Sequence, residues 1–249
     1  MGDIRIGRVE KLLQQAIEER GVAHLTLFDP EKLTPSVAQR LASQVKKAGT
    51  VAAMVGGSTV TSVYELDAIV RAIKNSKLPV ILFPNAVSGL SQYADAVFFM
   101  SLLNSTNPYY LSGAQALGAP FVKRYKLEPI PLAYLIVGEH TGAAGFVGNA
   151  NPIPKDKPGL AAIYALAAEY FGMRFAYLEA GSGAKDAVPV EMVKTVRKNS
   201  NIHIIVGGGI RSPTQARALA DAGAHLIVTG TVSEQASIER VRKIIEVLQ

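Results

Sequence analysis

VGGGIRSPTQARALADAGAHLIVTGT, Val206 to Thr231, decides the fold. An apolar run, HIIVGG (203–208), ends in three glycines, Gly207 to Gly209. A helical pattern, SPTQARALADAG (212–223), follows, and then a second apolar run, HLIVTG (225–230), ends at Gly230 beside Thr231. The two strand ends stand about 23 residues apart, as successive βα units do. Glycines at strand ends expose backbone N–H groups, which suits an anion. In a closed barrel of eight βα units a phosphate commonly sits on the seventh and eighth βα loops. The segment therefore reads as the phosphate-binding end of an α/β single (β/α)8 TIM barrel.

Working outward, six more apolar runs of strand length precede it. They are VAHLTLF (22–28), VAAMV (51–55), PVILF (79–83), AVFFMSLL (96–103), PLAYLIV (131–137) and FAYLEA (175–180). None alternates apolar with polar, as expected of parallel strands buried on both faces. Helical patterns lie between most of them. SVAQRLASQVKKAG follows the first, with Pro35 as a start signal and Gly49 as a stop. VYELDAIVRAIKNS follows the second, a helix over roughly Tyr109 to Leu117 the fourth, GLAAIYALAAEYFG the fifth, VEMVKTVRKNS the sixth and SIERVRKIIEVLQ the eighth. NAVSGLSQYAD, after the third, is too short for a helix, so that unit is expected to be degenerate. MGDIRIGRVEKLLQQAIEER reads as an extra N-terminal amphipathic helix, not a signal peptide. Eight strands with crossovers fit a barrel or a doubly wound sheet, and the last quarter favours the barrel. Residues 1–249 read as one domain. The longest irregular segment, 138–158, follows the fifth strand on the catalytic face and reads as a lid.

Composition narrows the function. With no cysteine, disulfides and thiolate metal sites are excluded, which suits a cytoplasmic protein. The net charge of +6 reads as a solvated surface with a few extra lysines, or else as a sign of anionic partners: phosphorylated metabolites, nucleic acid or an anionic membrane surface touched transiently. No dense Lys/Arg block interleaved with aromatics appears, so no nucleic-acid partner is expected. No apolar segment reaches membrane-span length. Between Lys77 and Lys123 the only charged residue is Asp95. That stretch reads as buried strands and helix faces, or as a wall for a long apolar ligand.

The candidate chemistry lies at strand ends. YLEAGSG (177–183) carries Glu179 near the end of an otherwise apolar strand, where a charge is costly unless paired. Gly181 and Gly183 let backbone approach a ligand, and Ser182 adds a hydroxyl. Asp29, in LFDPEK, is either an Asp-Pro turn former or a Mg²⁺ ligand, and the residues alone leave both open. GGSTVT (56–61) either completes a metal shell or second phosphate site, or caps the next helix with Ser58 or Thr59. The histidines show no ligand spacing. His24, His203 and His225 sit near strand starts, and only His140, in the long loop, remains a site candidate.

HLTLFDPEK, MVGGSTVT, YLEAGSGA, VGGGIRSP and VTGT together resemble the geranylgeranylglyceryl phosphate synthase family, from about Ala23 to the C-terminus. The resemblance implies transfer of the prenyl group of geranylgeranyl diphosphate to the C3 hydroxyl of sn-glycerol 1-phosphate, with release of diphosphate. This is the first ether-bond step of archaeal membrane lipid synthesis. It implies that Tyr177, Leu178, Glu179, Ala180, Gly181, Ser182, Gly183, Gly208, Gly209, Gly230 and Thr231 bind glycerol 1-phosphate. It further implies that Asp29 and Ser58 hold the cofactor Mg²⁺, and that the protein is a homo-oligomer, dimer or hexamer. Leu27 stands where one subgroup carries a lysine, so the chain resembles the second subgroup. On this reading Glu179 is the catalytic base. The rival readings are another phosphate-binding barrel enzyme, of sugar-phosphate isomerase type, and a non-catalytic phosphate-binding barrel.

Overall fold

The computed structural model describes residues 6–57, 62–138, 143–230 and 238–249. Eight parallel strands close into a barrel in chain order. They are β1 (Ala23–Phe28), β2 (Ala52–Val55), β3 (Val80–Leu82), β4 (Ala96–Leu102), β5 (Glu128–Ile136), β6 (Phe175–Glu179), β7 (His203–Gly207) and β8 (Leu226–Thr229). The seam is β1 against β8, with Ala23 opposite Leu226 and Thr26 opposite Thr229. The architecture is thus the barrel and not the doubly wound sheet.

Each strand divides its apolar side chains between two compartments. Leu25, Met54, Ile81, Phe98, Leu132, Phe175, Ile205 and Leu226 fill the barrel interior. Phe28, Val55, Leu82, Val97, Leu135, Leu178, Val206 and Ile227 point the other way and pack under the helices. Both faces are buried, so the strand sequences show no alternation.

The helices are α1 (Arg8–Arg20), α2 (Pro35–Ala48), α3 (Val63–Lys74), α4 (Ala114–Tyr125), α5 (Ala143–Val147), α6 (Pro158–Tyr170), α7 (Val190–Asn199), α8 (Pro213–Asp221) and α9 (Ile238–Glu246). Local signals set several ends. Thr34 caps α2 with Pro35 in its first turn, and Gly49 ends it in a left-handed conformation. Ser212 caps α8 through the N–H of Gln215.

The expected extra helix, α1, plugs the N-terminal end of the barrel. Its Val9, Leu13, Ala16 and Ile17 join the interior cluster. Two of its first amides donate to the Glu128 carboxylate, at 2.7 Å from Val9 and 2.8 Å from Glu10. The Glu10 side chain, fully buried, pairs with Arg174 at the foot of β6. Asp95, the one charge in the uncharged stretch, lies at this same end. It accepts from Lys74 Nζ at 2.6 Å and from Val80 N at 2.9 Å.

A small polar network is buried behind the β1–β8 seam. His24 lies between Thr50 Oγ1 (2.8 Å) and Thr229 Oγ1 (2.9 Å), and Thr50 meets Thr26 at 3.0 Å. Burial lowers the His24 pKa to about 3.

Three local expectations are met or corrected. The third βα unit is degenerate, holding one 3-10 turn, Val87–Gly89. The helix expected over Tyr109 to Leu117 is instead a π-turn, Tyr109–Gly113, running into α4, which continues to Tyr125. Gln115 makes the wide turn tolerable, because its amide donates to the carbonyls of Met100 and Tyr110. Segment 138–158 is less irregular than its composition suggests. It contains α5, and Ile153 bridges back to Val137. Asn104 holds it from below, donating to the carbonyls of Ile136 and Asn151, both at 2.9 Å. Among the described residues, no helix is long and apolar enough to cross a membrane.

Candidate functional site

A cavity of about 840 Å³ opens at the carboxyl ends of the strands. One side is built from turns. Gly181, Ser182 and Gly183 after β6, Gly208 and Gly209 after β7, and Gly230 after β8 all line it. The other side is apolar: Phe83, Leu90, Val97, Phe99, Gly118 and Val122, from β3, β4, α4 and the degenerate unit. The uncharged stretch is thus a cavity wall as well as core.

The turns come together because glycine lets them. Gly208 has φ +79°, and a Cβ there would stand 2.4 Å from Glu179 Oε1 and 2.7 Å from Gly181 N. Any side chain at this position would displace the carboxylate or the neighbouring turn.

Glu179 is 7% exposed, at the end of β6. Its Oε1 accepts from the N–H of Gly181 at 2.6 Å, and the Tyr177 hydroxyl hydrogen-bonds the same carboxylate. Burial raises its pKa, and the two hydrogen bonds pull it part of the way back. Burial and the nearby Glu179 charge push Tyr177 and Tyr134 well above the usual phenol range, so both stay neutral donors. With Phe83 these tyrosines form an aromatic floor, with ring centroids 5.1 to 5.5 Å apart.

Asp29 sits across the mouth, at the end of β1. Its carboxylate accepts from Glu31 N at 3.1 Å, so the turn reading is realised. It also meets Lys32 Nζ at 2.7 Å and lines the cavity, so the ligand reading stands beside it. Gly57 brings backbone close: a Cβ there would stand 2.8 Å from Asp29 Oδ1. A carboxylate lining the cavity suits Mg²⁺, which is usually held by one or two carboxylates together with phosphate oxygens and water.

The structure thus brings Asp29, Tyr177, Glu179, Ala180, Gly181, Ser182, Gly183, Gly208, Gly209 and Gly230 to one cavity. Leu178 is the exception. Its side chain packs on the helix side of β6 because strand residues alternate faces. Ser58, Thr59, His140 and Thr231 lie outside the described residues.

Three cavity residues escaped the sequence reading. Tyr134 looks like ordinary core in a continuous apolar strand. Lys32 lies within the LFDPEK motif, but its pairing with Asp29 is one helical step away and unmarked. Arg211 follows the glycine triplet, and its Nη2 donates to the carbonyls of Gly183 (3.1 Å) and Ala184 (2.9 Å).

Comparison with known proteins agrees with this geometry. Residues 14–248 match the model of the PcrB family. The chain is 53% identical to the geranylgeranylglyceryl phosphate synthase of Pyrococcus horikoshii, over all of this chain and 98% of that protein. It is 54% identical to that of Pyrococcus furiosus, over 99% and 98% respectively. Among solved structures, the (S)-3-O-geranylgeranylglyceryl phosphate synthase of Thermoplasma acidophilum in complex with sn-glycerol-1-phosphate superposes with a TM-score of 0.92. It has 42% identity, and the match covers 98% of this chain and 99% of that one. Mycobacterium tuberculosis tryptophan synthase, at TM-score 0.62 and 15% identity, shares the fold alone. The chain belongs to the PcrB family, alongside the geranylgeranylglyceryl phosphate synthases it matches along its whole length.

Proposed function

We propose that the protein is a geranylgeranylglyceryl phosphate synthase, joining geranylgeranyl diphosphate to the C3 hydroxyl of sn-glycerol 1-phosphate. One observation carries this. A single cavity joins a glycine-lined cup with a buried glutamate to an uncharged groove. A small sugar phosphate would use the cup but not the groove. A sugar-phosphate isomerase also needs a second acid or base, and the polar neighbours of Glu179 are neutral tyrosines.

The turns after β6, β7 and β8 offer backbone N–H groups to the glycerol phosphate, as anion-binding nests do. Glu179 accepts a hydrogen bond from the C3 hydroxyl. As that oxygen bonds to C1 of the prenyl chain, the C1–oxygen bond to diphosphate breaks and its electron pair leaves with the diphosphate. The hydroxyl proton passes to Glu179, whose raised pKa suits it to accept one. The Tyr177 hydroxyl holds the carboxylate in place. The wall from Phe83 to Val122 takes the tail and keeps water from the reacting carbon.

Asp29 would hold Mg²⁺, with Ser58 as a further oxygen ligand, and bound Mg²⁺ would neutralise charge on the diphosphate. Lys32, already on Asp29, adds a second cation. The protein is proposed to work in the cytoplasm, touching the membrane surface only in transit. As a homo-oligomer it would cover the exposed apolar stripe of α6, which includes Ile163 (66% exposed) and Tyr170 (78%).

The test is incubation with sn-glycerol 1-phosphate and prenyl diphosphates, with Mg²⁺ supplied or chelated. Ether product and released diphosphate in the Mg²⁺ arm are expected. Absence of ether product with every diphosphate would overturn the function. Undiminished product after chelation would overturn the metal.

A further inference from the structure

Segment 181–184 is a tight turn, closed by Ala184 N donating to Gly181 O at 3.1 Å. Two of its residues, Gly181 (φ +104°) and Gly183 (φ +75°), occupy conformations that favour glycine. Glycine brings freedom that something must remove if the turn is to present its amides in one arrangement. Packing does not do this at the far end. Ser182 and Gly183 are exposed, and a Cβ on Gly183 would meet nothing within 4 Å. At the near end the turn is tied by Gly181 N to Glu179. At the far end it is tied by Arg211.

We infer that Arg211 is a positioning residue for the glycerol-phosphate cup, acting through the carbonyls of Gly183 and Ala184. Its Nη2 reaches both, at 3.1 and 2.9 Å. Its own backbone N–H donates to Gln215 Oε1 at 2.8 Å, which fixes its stem to the first turn of α8. A peptide unit is planar, with its C=O and N–H pointing in opposite directions. Drawing the Gly183 carbonyl toward Arg211 leaves the Ala184 N–H facing Gly181 O, which closes the turn, and drawing the Ala184 carbonyl the same way turns the Lys185 N–H away from Arg211. The charge of the guanidinium is partly spent on two carbonyl dipoles, in bonds stronger than neutral ones. The β7 loop thus contributes to the cup twice: by its own glycines, and by a side chain that sets the shape of the neighbouring turn.

The inference rests on the proposed synthase activity, and its failure can be told from failure of that activity, since the wild type is assayed alongside. The experiment uses Arg211→Met, which keeps the stem and removes the donors. KM for glycerol 1-phosphate should rise about tenfold, equivalent to about 1.4 kcal/mol. KM for the prenyl diphosphate and kcat should stay within about twofold. Amide hydrogen exchange in residues 182–185 should become faster, while exchange in β6 and β7 is unchanged. A glycerol 1-phosphate KM within twofold of wild type would overturn the inference. So would a raised KM with unchanged exchange in the turn, since that outcome means direct contact with the ligand. Should Arg211→Met fail to fold, Arg211→Lys replaces it, with a smaller rise in both readouts expected and the same outcomes overturning it.

Discussion

At Glu179, burial and hydrogen bonding act against each other. Burial favours the neutral acid, while Tyr177 and the Gly181 amide favour the carboxylate, and burial is the larger effect. A base so placed holds a proton more readily than an exposed carboxylate does. Glu179→Gln, isosteric and unable to accept the proton, should lower kcat by about 10²-fold or more. Steady-state turnover with both substrates saturating checks this, and near wild-type kcat would remove Glu179 from the base role. Because the folded pKa is raised, Glu179 stabilises the fold below the unfolded carboxylate pKa and loses that contribution as pH rises. His24 behaves oppositely. Its folded pKa, about 3, lies below the 6.5 of an unperturbed imidazole. The unfolded chain takes up the proton first, so stability is full above pH 6.5 and falls as pH drops toward 3. By pH 5 the loss from this one group is on the order of 2 kcal/mol. Urea midpoints for wild type and His24→Gln at pH 7 and pH 5 test it. The wild type should show the steeper fall, and parallel falls would refute the assignment.

At the scale of elements, α4 and the degenerate third unit decide what the groove accepts. With no full helix after β3, the wall there is a 3-10 turn packed beside α4, and both line the cavity. Gly118 lies on this wall. A Cβ added to it would sit at ordinary contact distance, 3.8 Å from Leu90 and 3.9 Å from Val87, so the backbone tolerates a side chain there. Gly118→Leu should therefore fill the groove without unfolding the helix. Activity with twenty-carbon diphosphate should fall by about tenfold or more, while ten- and fifteen-carbon substrates are affected less. Initial rates across the three lengths would show it, and an equal loss at all lengths would mean that the tail does not run past α4. The sequence made part of this visible. The scarcity of charge from Leu78 to Val122, broken only by Asp95, offered a wall as one of two readings, and the shortness of NAVSGLSQYAD marked a missing helix. The π-turn was illegible, because it depends on Gln115 reaching two carbonyls that only tertiary structure brings near.

For the molecule as a whole, backbone signals were legible and side-chain meetings were not. Glycines at three strand ends and a glutamate in an apolar strand are written into the chain, and all lie on the cavity. Tyr134 and Arg211 owe their roles to neighbours far away in sequence, and no spacing rule marks them. Association is a property of the same scale. Leu160, Ile163, Tyr170 and Phe171 expose apolar surface along α6, and such a stripe is normally covered. Ile163→Glu should shift the mass measured by light scattering toward the monomer with the helix content unchanged, and an unaltered mass would place the contact elsewhere. The α1 plug has a kinetic consequence. With α1 across its foot and side chains filling its interior, the barrel offers no passage toward the N-terminal end among the described residues, so reactants and products would share the cavity at the carboxyl ends of the strands. A long-tailed product held in that cavity would have to leave before new reactants enter, so exit of the lipid is expected to gate each new round of turnover. Detergent or vesicles that extract it should then quicken the steady state while leaving the first turnover unchanged.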